Sequence, residues 1–566
     1  MGGPVDGRPR PQLWRPQAAS LDGAWDFAPD PAAQWRAPDD VEWGTTITVP
    51  FAPGTPASGV PSGDGLAWWY RSAVRFPEGG PDDEQVVHLG AVDHAADVWV
   101  DGVPVAHHEG GYTPVRAYLQ GALASPGEHV LVVRAVDDHG DLAKPRGKQT
   151  WEAEARSIWY PPTSGIWQPT WTERLRPSSI DALWWRPDVS QRAIGLDARL
   201  RGAPRGCRLT VELRMAGEPV ASETWEPAGA LVWVRLPRRM RDETWSPSHP
   251  VLIDAALTLR GPDGEVLDRV ESYTALRSVG TSHGRLTLNG RPVLHRLALD
   301  QGYWPGTGMT APSDDALRRD VELAKALGFN GVRKHQKVED PRYLWWADHL
   351  GLMVWEELPA AQRFDDIAVR RGMRLWQDVV VRDRSHPCVV GWGMCNESWG
   401  VPALADRPEQ RAYVRALASV TAALDPDRPV VPDDGGQDLG GDVRAVHDYE
   451  RDPGRLATRW SAVGRGAAPV GGSALGGRPL VLSEFGGMTI TGSGGWGYDT
   501  VASGGALAER YEALLAAVHR IPGLSGFCYT QFTDTYQETN GLLTAGREPK
   551  AAVDRVRAAT VGEQRA

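Results

Sequence analysis

Two apolar runs of this 566-residue chain close on a glutamate. Val389-Val390-Gly391-Trp392-Gly393-Met394-Cys395 leads into Asn396-Glu397, and Pro479-Leu480-Val481-Leu482-Ser483 leads into Glu484-Phe485-Gly486-Gly487. A single carboxylate at the end of a buried strand fits a structural ion pair as well as catalysis. Two on strands of one sheet can flank one bond, and carboxyl groups about 5–5.5 Å apart supply the nucleophile and the acid/base for glycoside cleavage with retention. The aromatic supply suits a sugar: 25 Trp outnumber 13 Tyr and 8 Phe together. An indole offers a flat apolar face and one N–H donor, although core packing accounts for most such residues.

Such a pair needs a frame that gathers distant strand ends. From Leu286-Thr287-Leu288-Asn289-Gly290 onward, strand-like runs alternate with amphipathic helices, and residues 279–566 suit one (β/α)8 barrel of about 250 residues with enlarged loops. Val293 to Leu299 reads as strand one. Ser313 caps a helix with Asp314 and Asp315 in its first turn, Leu317, Val321, Ala324 and Leu327 on one face, and Gly328 as its stop. Gly331 to His335 is strand two, Pro341 to Leu350 its helix, and Leu352 to Trp355 strand three. A helix over Arg371 to Asp383 leads to strand four, Val389 to Cys395. Val430 to Pro432, Ala445 to Asp448, Leu480 to Ser483 and Gly526 to Thr530 supply strands five to eight. Glycine-rich stretches at 464–477 and 486–505 read as mobile loops around strand seven. In this architecture the active site lies at the carboxyl ends of the strands, where both glutamates fall.

Residues 1–178 show short strands with turn punctuation: Val86 to Leu89, Val98 to Val100, Val103 to Val105 after the Asp101-Gly102 turn, and Val130 to Val136. This is a β-sandwich pattern. Residues 179–278 alternate Leu209, Val211 and Leu213, run apolar through Leu231 to Leu236, and carry Val251 to Leu259 into the Gly261-Pro262-Asp263-Gly264 turn, which fits an immunoglobulin-like sandwich.

Composition bounds the partners. Lys plus Arg number 61 against 72 Asp plus Glu, and the net charge of −11 argues against a nucleic-acid backbone. Cys207, Cys388, Cys395 and Cys528 lack C-x-x-C spacing and fall in strand-like segments, so they read as reduced, buried thiols and not as a disulfide or metal framework. The N-terminus has no apolar signal core and no apolar stretch reaches 18 residues, so a soluble, cytoplasmic protein without a membrane partner is expected. No metal or cofactor is called for, and a homo-oligomer is compatible with the sequence.

The run Arg382-Asp383-Arg384-Ser385-His386-Pro387-Cys388 through Trp392 to Asn396-Glu397 resembles the acid/base signature of glycoside hydrolase family 2. Leu288-Asn289-Gly290-Arg291-Pro292, Gly328-Phe329-Asn330-Gly331-Val332-Arg333 and Asp348-His349-Leu350-Gly351-Leu352-Met353-Val354-Trp355-Glu356-Glu357 resemble its first three barrel strands. Leu21-Asp22-Gly23-Ala24-Trp25-Asp26-Phe27, Val49-Pro50-Phe51 and Trp68-Trp69-Tyr70-Arg71 are similar to its N-terminal jelly roll. The resemblance spans the chain and implies a jelly roll, an immunoglobulin-like domain and a catalytic barrel. It implies Glu397 as acid/base, Glu484 as nucleophile, Asn396 on the sugar 2-hydroxyl and Tyr449 against the nucleophile. Arg333, His335, His447 and Glu357 at strand ends, with Asp300, Gln301 and Trp304 after strand one, are further sugar-contact candidates. A salt bridge is the other reading for Arg333, and packing the other for Trp304. The segment Arg146 to Trp167 matches the part of the jelly roll that reaches the barrel mouth, which nominates Trp151 and Tyr160 as contacts or as interdomain packing.

The chain also departs from the family. Strand two continues Lys334-His335-Gln336-Lys337 and strand eight reads Tyr529-Thr530-Gln531-Phe532-Thr533-Asp534, where better-known members have Ser-His-Tyr-Pro and a tryptophan. The Asn-x-Lys pattern of glucuronide-specific members is missing from the barrel. Gly280-Thr281-Ser282-His283-Gly284 and Gly306-Thr307-Gly308-Met309-Thr310-Ala311 fit loose hydrolase and dinucleotide motifs but lack the flanking strand-turn-helix context. The expectation is an exo-acting, retaining β-glycosidase of galactosidase type acting on a carbohydrate. A uronidase that uses Lys334, Lys337 or Arg333 for a carboxylate is the second reading, and a catalytically silent carbohydrate-binding protein the third.

Overall fold

The computed structural model describes residues 8–61, 65–80, 82–202, 205–227, 231–235, 243–461, 463 and 475–562. The first sandwich packs a six-stranded antiparallel sheet, built from Thr45–Val49, Gly23–Asp30, Ala67–Phe76, Gly127–Val136, Ala95–Val100 and Val103–Glu109, on a four-stranded one. Between them lie Trp25, Phe27, Tyr70, Leu89, Val98 and Leu131. The second sandwich pairs Ser179–Asp188, Ala193–Arg201 and Leu231–Arg235 in one sheet and Glu218–Trp225, Arg208–Met215, Ile253–Arg260 and Val266–Thr274 in the other. Leu209, Val211 and Leu213 all face its core while Arg208, Glu212 and Arg214 are exposed, the period-2 alternation of a one-sided sheet. Leu236, at the end of the expected apolar run, lies outside the described residues. Leu13, early in the chain, packs in this second core, and Arg15 joins Glu173 and Asp268, each at 2.9 Å, between the two sandwiches.

The eight strands of the barrel are β1 (His295–Asp300), β2 (Gly331–Lys334), β3 (Met353–Glu357), β4 (Val389–Gly393), β5 (Val430–Val431), β6 (Arg444–His447), β7 (Leu480–Gly486) and β8 (Leu524–Thr530). They pair in parallel in the order β5-β4-β3-β2-β1-β8-β7-β6, which leaves one unpaired seam between β5 and β6. The short β5 explains the seam, since two residues offer too few ladder groups to close it.

Helix α1 (Asp314–Ala326) starts where its cap dictates: the Ser313 hydroxyl accepts from Ala316 N at 3.2 Å, and Leu317, Val321 and Ala324 are buried. Helix α2 (Pro341–Leu350) has the expected bounds, whereas α3 (Asp366–Asp383) begins five residues before the expected Arg371 because the Asp365 side chain caps it at Ala368 N. Two more corrections concern loops and thiols. Within 486–505, Met488–Ile490 pairs in parallel with Asp499–Val501, so this stretch is not simply loop; residues 464–474 lie outside the described ones. All four thiols are free and buried, but only Cys528 is inside a strand, the others sitting just beside one. Among the described residues no helix is long and apolar enough to cross a membrane.

The jelly roll docks on the barrel through main chain. Arg146 N and Gly147 N both donate to Ala360 O, at 3.0 and 3.1 Å, and Gln362 N donates to Leu142 O at 2.9 Å. Gly147 has φ +60°, and any Cβ there would overlap the Gln336 carbonyl oxygen just beyond β2. Only glycine permits that approach.

Candidate active site

Glu397 follows β4 and Glu484 lies within β7, both at the carboxyl end of the barrel. One carboxylate oxygen of each lies within 4.8 Å of the other's. Glu484 is buried, whereas the Glu397 side chain is 42% exposed, so one carboxylate forms the floor of the site and the other its wall.

The chain turns sharply to present Glu397. Glu397 and Ser398 have φ of +49° and +61°, a left-handed conformation that costs L-residues roughly 1–2 kcal/mol each. The residues after β5 hold that turn. Glu397 N donates to Asp434 O at 2.8 Å, while Ser398 donates through N and Oγ to the Asp433 carboxylate, each at 2.8 Å. Asp433 and Asp434 were not among the sequence candidates, although an acidic pair directly after a short apolar run was a readable signal.

Arg333, at the end of β2, is fully buried and organises the floor. Its Nη1 donates to Glu484 Oε1 at 3.0 Å, its Nη2 to Asn396 Oδ1 at 2.7 Å, and its Nε to Glu357 Oε2 at 2.9 Å. Asp434 Oδ2 stands 3.4 Å from the same Nε. On the other side of Glu484, Tyr449 OH donates to Oε2 at 2.6 Å and lies 3.2 Å from Thr530 Oγ1. The nucleophile candidate is thus gripped at both oxygens, one by a guanidinium and one by a phenol, which fixes its direction of attack.

His447, ending β6, connects the two glutamates. Nδ1 is 2.8 Å from Glu397 Oε1, and Nε2 is 3.0 Å from Asp434 Oδ1 and 3.5 Å from Glu484 Oε1. Burial disfavours its charge, but Glu484, Asp434 and Glu397 outweigh burial and push the imidazole up to about 10. Burial would raise Glu397, yet the His447 hydrogen bond and charge prevail and hold it below the usual carboxylate range. Asp434 is held at about 2 despite its burial, by Arg333 and then His447. Glu397, His447 and Glu484 each bring one donor atom within 4.8 Å of the others, and both ring nitrogens of His447 already meet carboxylates, Nδ1 that of Glu397 and Nε2 that of Asp434. The buried set Asp348, His386 and Cys388 is likewise satisfied internally, with His386 Nδ1 and Cys388 N on Asp348 at 2.7 and 2.6 Å.

This arrangement makes pH a test. Removing the imidazolium frees Glu397 to bind its proton more tightly, so His447→Asn is expected to move the alkaline limb of kcat/KM to higher pH. Because the folded pKa of His447 is raised, its stabilisation is fully present below roughly pH 6.5, the unfolded value, and fades as pH rises to about 10. Thermal melts of the two proteins across that window should converge toward pH 10; parallel curves would refute a charged His447.

The other candidates divide. Glu357 is buried, pushed upward by burial, and bonded to Arg333 and Gln336. The Asp300 carboxylate pairs with Lys334 at 2.7 Å and accepts from Gly302 N. Trp304 is buried between the Lys337 ammonium and the Arg547 guanidinium, 5.1 and 4.8 Å from its ring centroid, contacts that match the packing alternative. His335 is buried 3.4 Å from Glu357 Oε1, and burial keeps it neutral, well below its usual pKa. Gln301 is buried on Gln531, with Nε2 to Oε1 at 2.8 Å. Tyr160 is fully buried and bonds Glu538, which Lys148 Nζ also meets at 2.9 Å; this makes it an interdomain residue. Trp151 stays half-buried at the rim.

Residues 282–562 match the family description "Glycosyl hydrolases family 2, TIM barrel domain". A beta-galactosidase of Thermoanaerobacter pseudethanolicus is 25% identical over 398 residues, covering 68% of this chain and 49% of that protein, so the chain spans about half that relative's length. A beta-glucuronidase of Chlorocebus aethiops is 25% identical over 477 residues, covering 72% of this chain and 68% of the relative. In fold, the chain is similar to a GH2 beta-galacturonidase from Eisenbergiella tayi solved with galacturonate: the TM-score is 0.76 with 19% identity over 97% of this chain and 98% of that one. Barrel and sandwiches agree with these relationships, and the chain belongs to glycoside hydrolase family 2.

Proposed function

We propose that the protein is an exo-acting, retaining β-glycosidase of galactosidase type that works by double displacement. The observation that carries this reading is the separation of the glutamates. One oxygen of each glutamate lies within 4.8 Å of the other's, which suits the roughly 5–5.5 Å spacing of retaining enzymes better than the roughly 6.5–9.5 Å that inverting enzymes use to seat a water. Glu484, oriented by Arg333 and Tyr449, attacks the anomeric carbon from the floor. Glu397 protonates the departing oxygen and then, as a carboxylate, activates the water that releases the sugar. Its lowered pKa suits the second step. The first step needs the proton, so the hydrogen bond to His447 is the contact that bound substrate must replace.

A neutral glycone is supported by the cations and amides at the barrel mouth. Lys334 is fully buried against Asp300 and Glu339, at 2.7 and 2.8 Å, and Lys337 against Glu339 at 2.9 Å. Neither ammonium is free to meet a uronate. Gln301, Gln531 and Asn540 lie after β1 and β8 and are buried, yet Gln301 Oε1, Gln531 Nε2 and both polar atoms of Asn540 have no partner among the described residues. Unpaired buried amides are costly, and sugar hydroxyls, donor and acceptor at once, match them. A neutral β-galactoside should therefore be cleaved with a kcat/KM at least about tenfold above that of the matching uronide. If the uronide instead leads by tenfold, a uronidase replaces this reading. Lys334→Met should lower the melting temperature, because it strands Asp300 and Glu339, and should not change the preference.

A further inference from the structure

The jelly roll sends residues 157–160 across the barrel mouth, and barrel side chains hold them there. Gln537 Nε2 donates to Ser157 O and Trp159 O, each at 2.8 Å, and Trp496 Nε1 donates to Ser157 O at 3.0 Å. On one side of this bridge Trp159 meets Trp399 at a centroid distance of 5.0 Å, and Trp151 adjoins Trp159 at 4.9 Å. Trp399 is two residues beyond Glu397. On the other side Trp496 contacts Tyr498 at 5.4 Å, and Tyr498 stacks on Tyr449, the partner of Glu484, at 3.7 Å. The mouth thus has an acid/base wall of tryptophan and a nucleophile wall of tyrosine.

In glycoside cleavage the acid/base protonates the leaving-group oxygen, so whatever lies outward of Glu397 touches the part of the substrate that departs. Trp151, Trp159 and Trp399 are all half-buried. Their indole N–H groups are neither sealed in the interior nor held by a protein acceptor among the described residues. Their faces are tilted at 62° and 44° to one another, which makes a cupped surface. Such a wall offers apolar faces for sugar C–H groups and donors for sugar hydroxyls. An aryl group would use only the faces.

We infer that Trp399, Trp159 and Trp151 form the binding site for the leaving group, and that this group is a sugar residue, so that the natural substrate is an oligosaccharide. The inference rests on the glycosidase reading above. It makes a jelly-roll loop part of the specificity apparatus.

The test uses the full-length protein with two β-glycosides of one glycone, a disaccharide and a 4-nitrophenyl glycoside, and compares wild type with Trp399→Phe and Trp159→Phe. Phenylalanine keeps an aromatic face but removes the N–H. The ratio of kcat/KM for the disaccharide to that for the aryl glycoside should fall about fivefold for each indole replaced, the worth of one neutral hydrogen bond. Trp399→Ala should lower kcat/KM for both substrates, mainly through KM. A ratio unchanged in both phenylalanine variants, with melting temperatures equal to wild type, overturns the sugar assignment. Unaltered kinetics in Trp399→Ala overturns the site itself. Wild type that cleaves no β-glycoside removes the glycosidase reading, and this inference with it.

Discussion

Glu484→Ala is expected to lower turnover by at least about 10⁴-fold, with added azide restoring reaction and yielding a glycosyl azide of inverted anomeric configuration. The inversion follows from geometry. Glu484 is the buried carboxylate at the floor, and replacing it with a methyl group opens a space from which a small anion reaches the same face of the sugar. Glu397 remains to protonate the leaving group, so a single displacement results. Glu397→Ala should behave differently. Its loss should cost about 10²–10⁴-fold on an alkyl glycoside and far less on an activated aryl glycoside, whose leaving group needs no proton. An alanine variant at 397 equally inactive on both substrates would falsify the acid/base assignment.

Arg333→Met should produce the largest loss of stability of any substitution at the site, about 3–5 kcal/mol, together with near-complete loss of activity. Among the described residues the guanidinium is the only cation touching Glu357, Asp434 and Glu484 together, and all four side chains are buried. Methionine fills much of the same volume but leaves those carboxylates facing one another. Their forced protonation would also misdirect Glu484, because Asn396 and Glu484 would lose a shared donor. Denaturant unfolding checks the first claim and an aryl glycoside assay the second. A variant as stable as wild type would show that the carboxylates are accommodated without the cation. Glu357→Gln, which removes one charge and keeps an acceptor for Arg333, should cost much less.

The two glutamates were readable because strand-end position is a local property. An apolar run long enough for a buried strand, closed by a carboxylate, needs no knowledge of the rest of the chain. The same holds for α1, whose Ser313 cap and 3.6-residue periodicity are contained in its own segment. Tyr449 and Arg333 also end or follow such runs, and both contact Glu484. The start of α3 was misplaced because the cap lies outside the apolar stripe: Asp365 precedes a first turn that carries little hydrophobic signal.

What the residue order determines here is the alternation of strands and helices, the residue types at the carboxyl ends of the strands and hence the class of chemistry. Tertiary structure alone decided which side chains those residues meet. Asp300 and Lys334 look like sugar contacts in one dimension, but adjacent strands bring them together and burial makes them neutralise each other. Glu357 is drawn to Arg333 for the same reason. Conversely, Asp433 and Asp434 matter only because β5 runs beside β4, which places their carboxylates and carbonyls under the Glu397 turn. The proton on His447 has no local signature either. It exists because Glu397, Asp434 and Glu484, from three strand ends, converge on one buried imidazole, and charge interactions at 3 Å depend on distance in space and not along the chain.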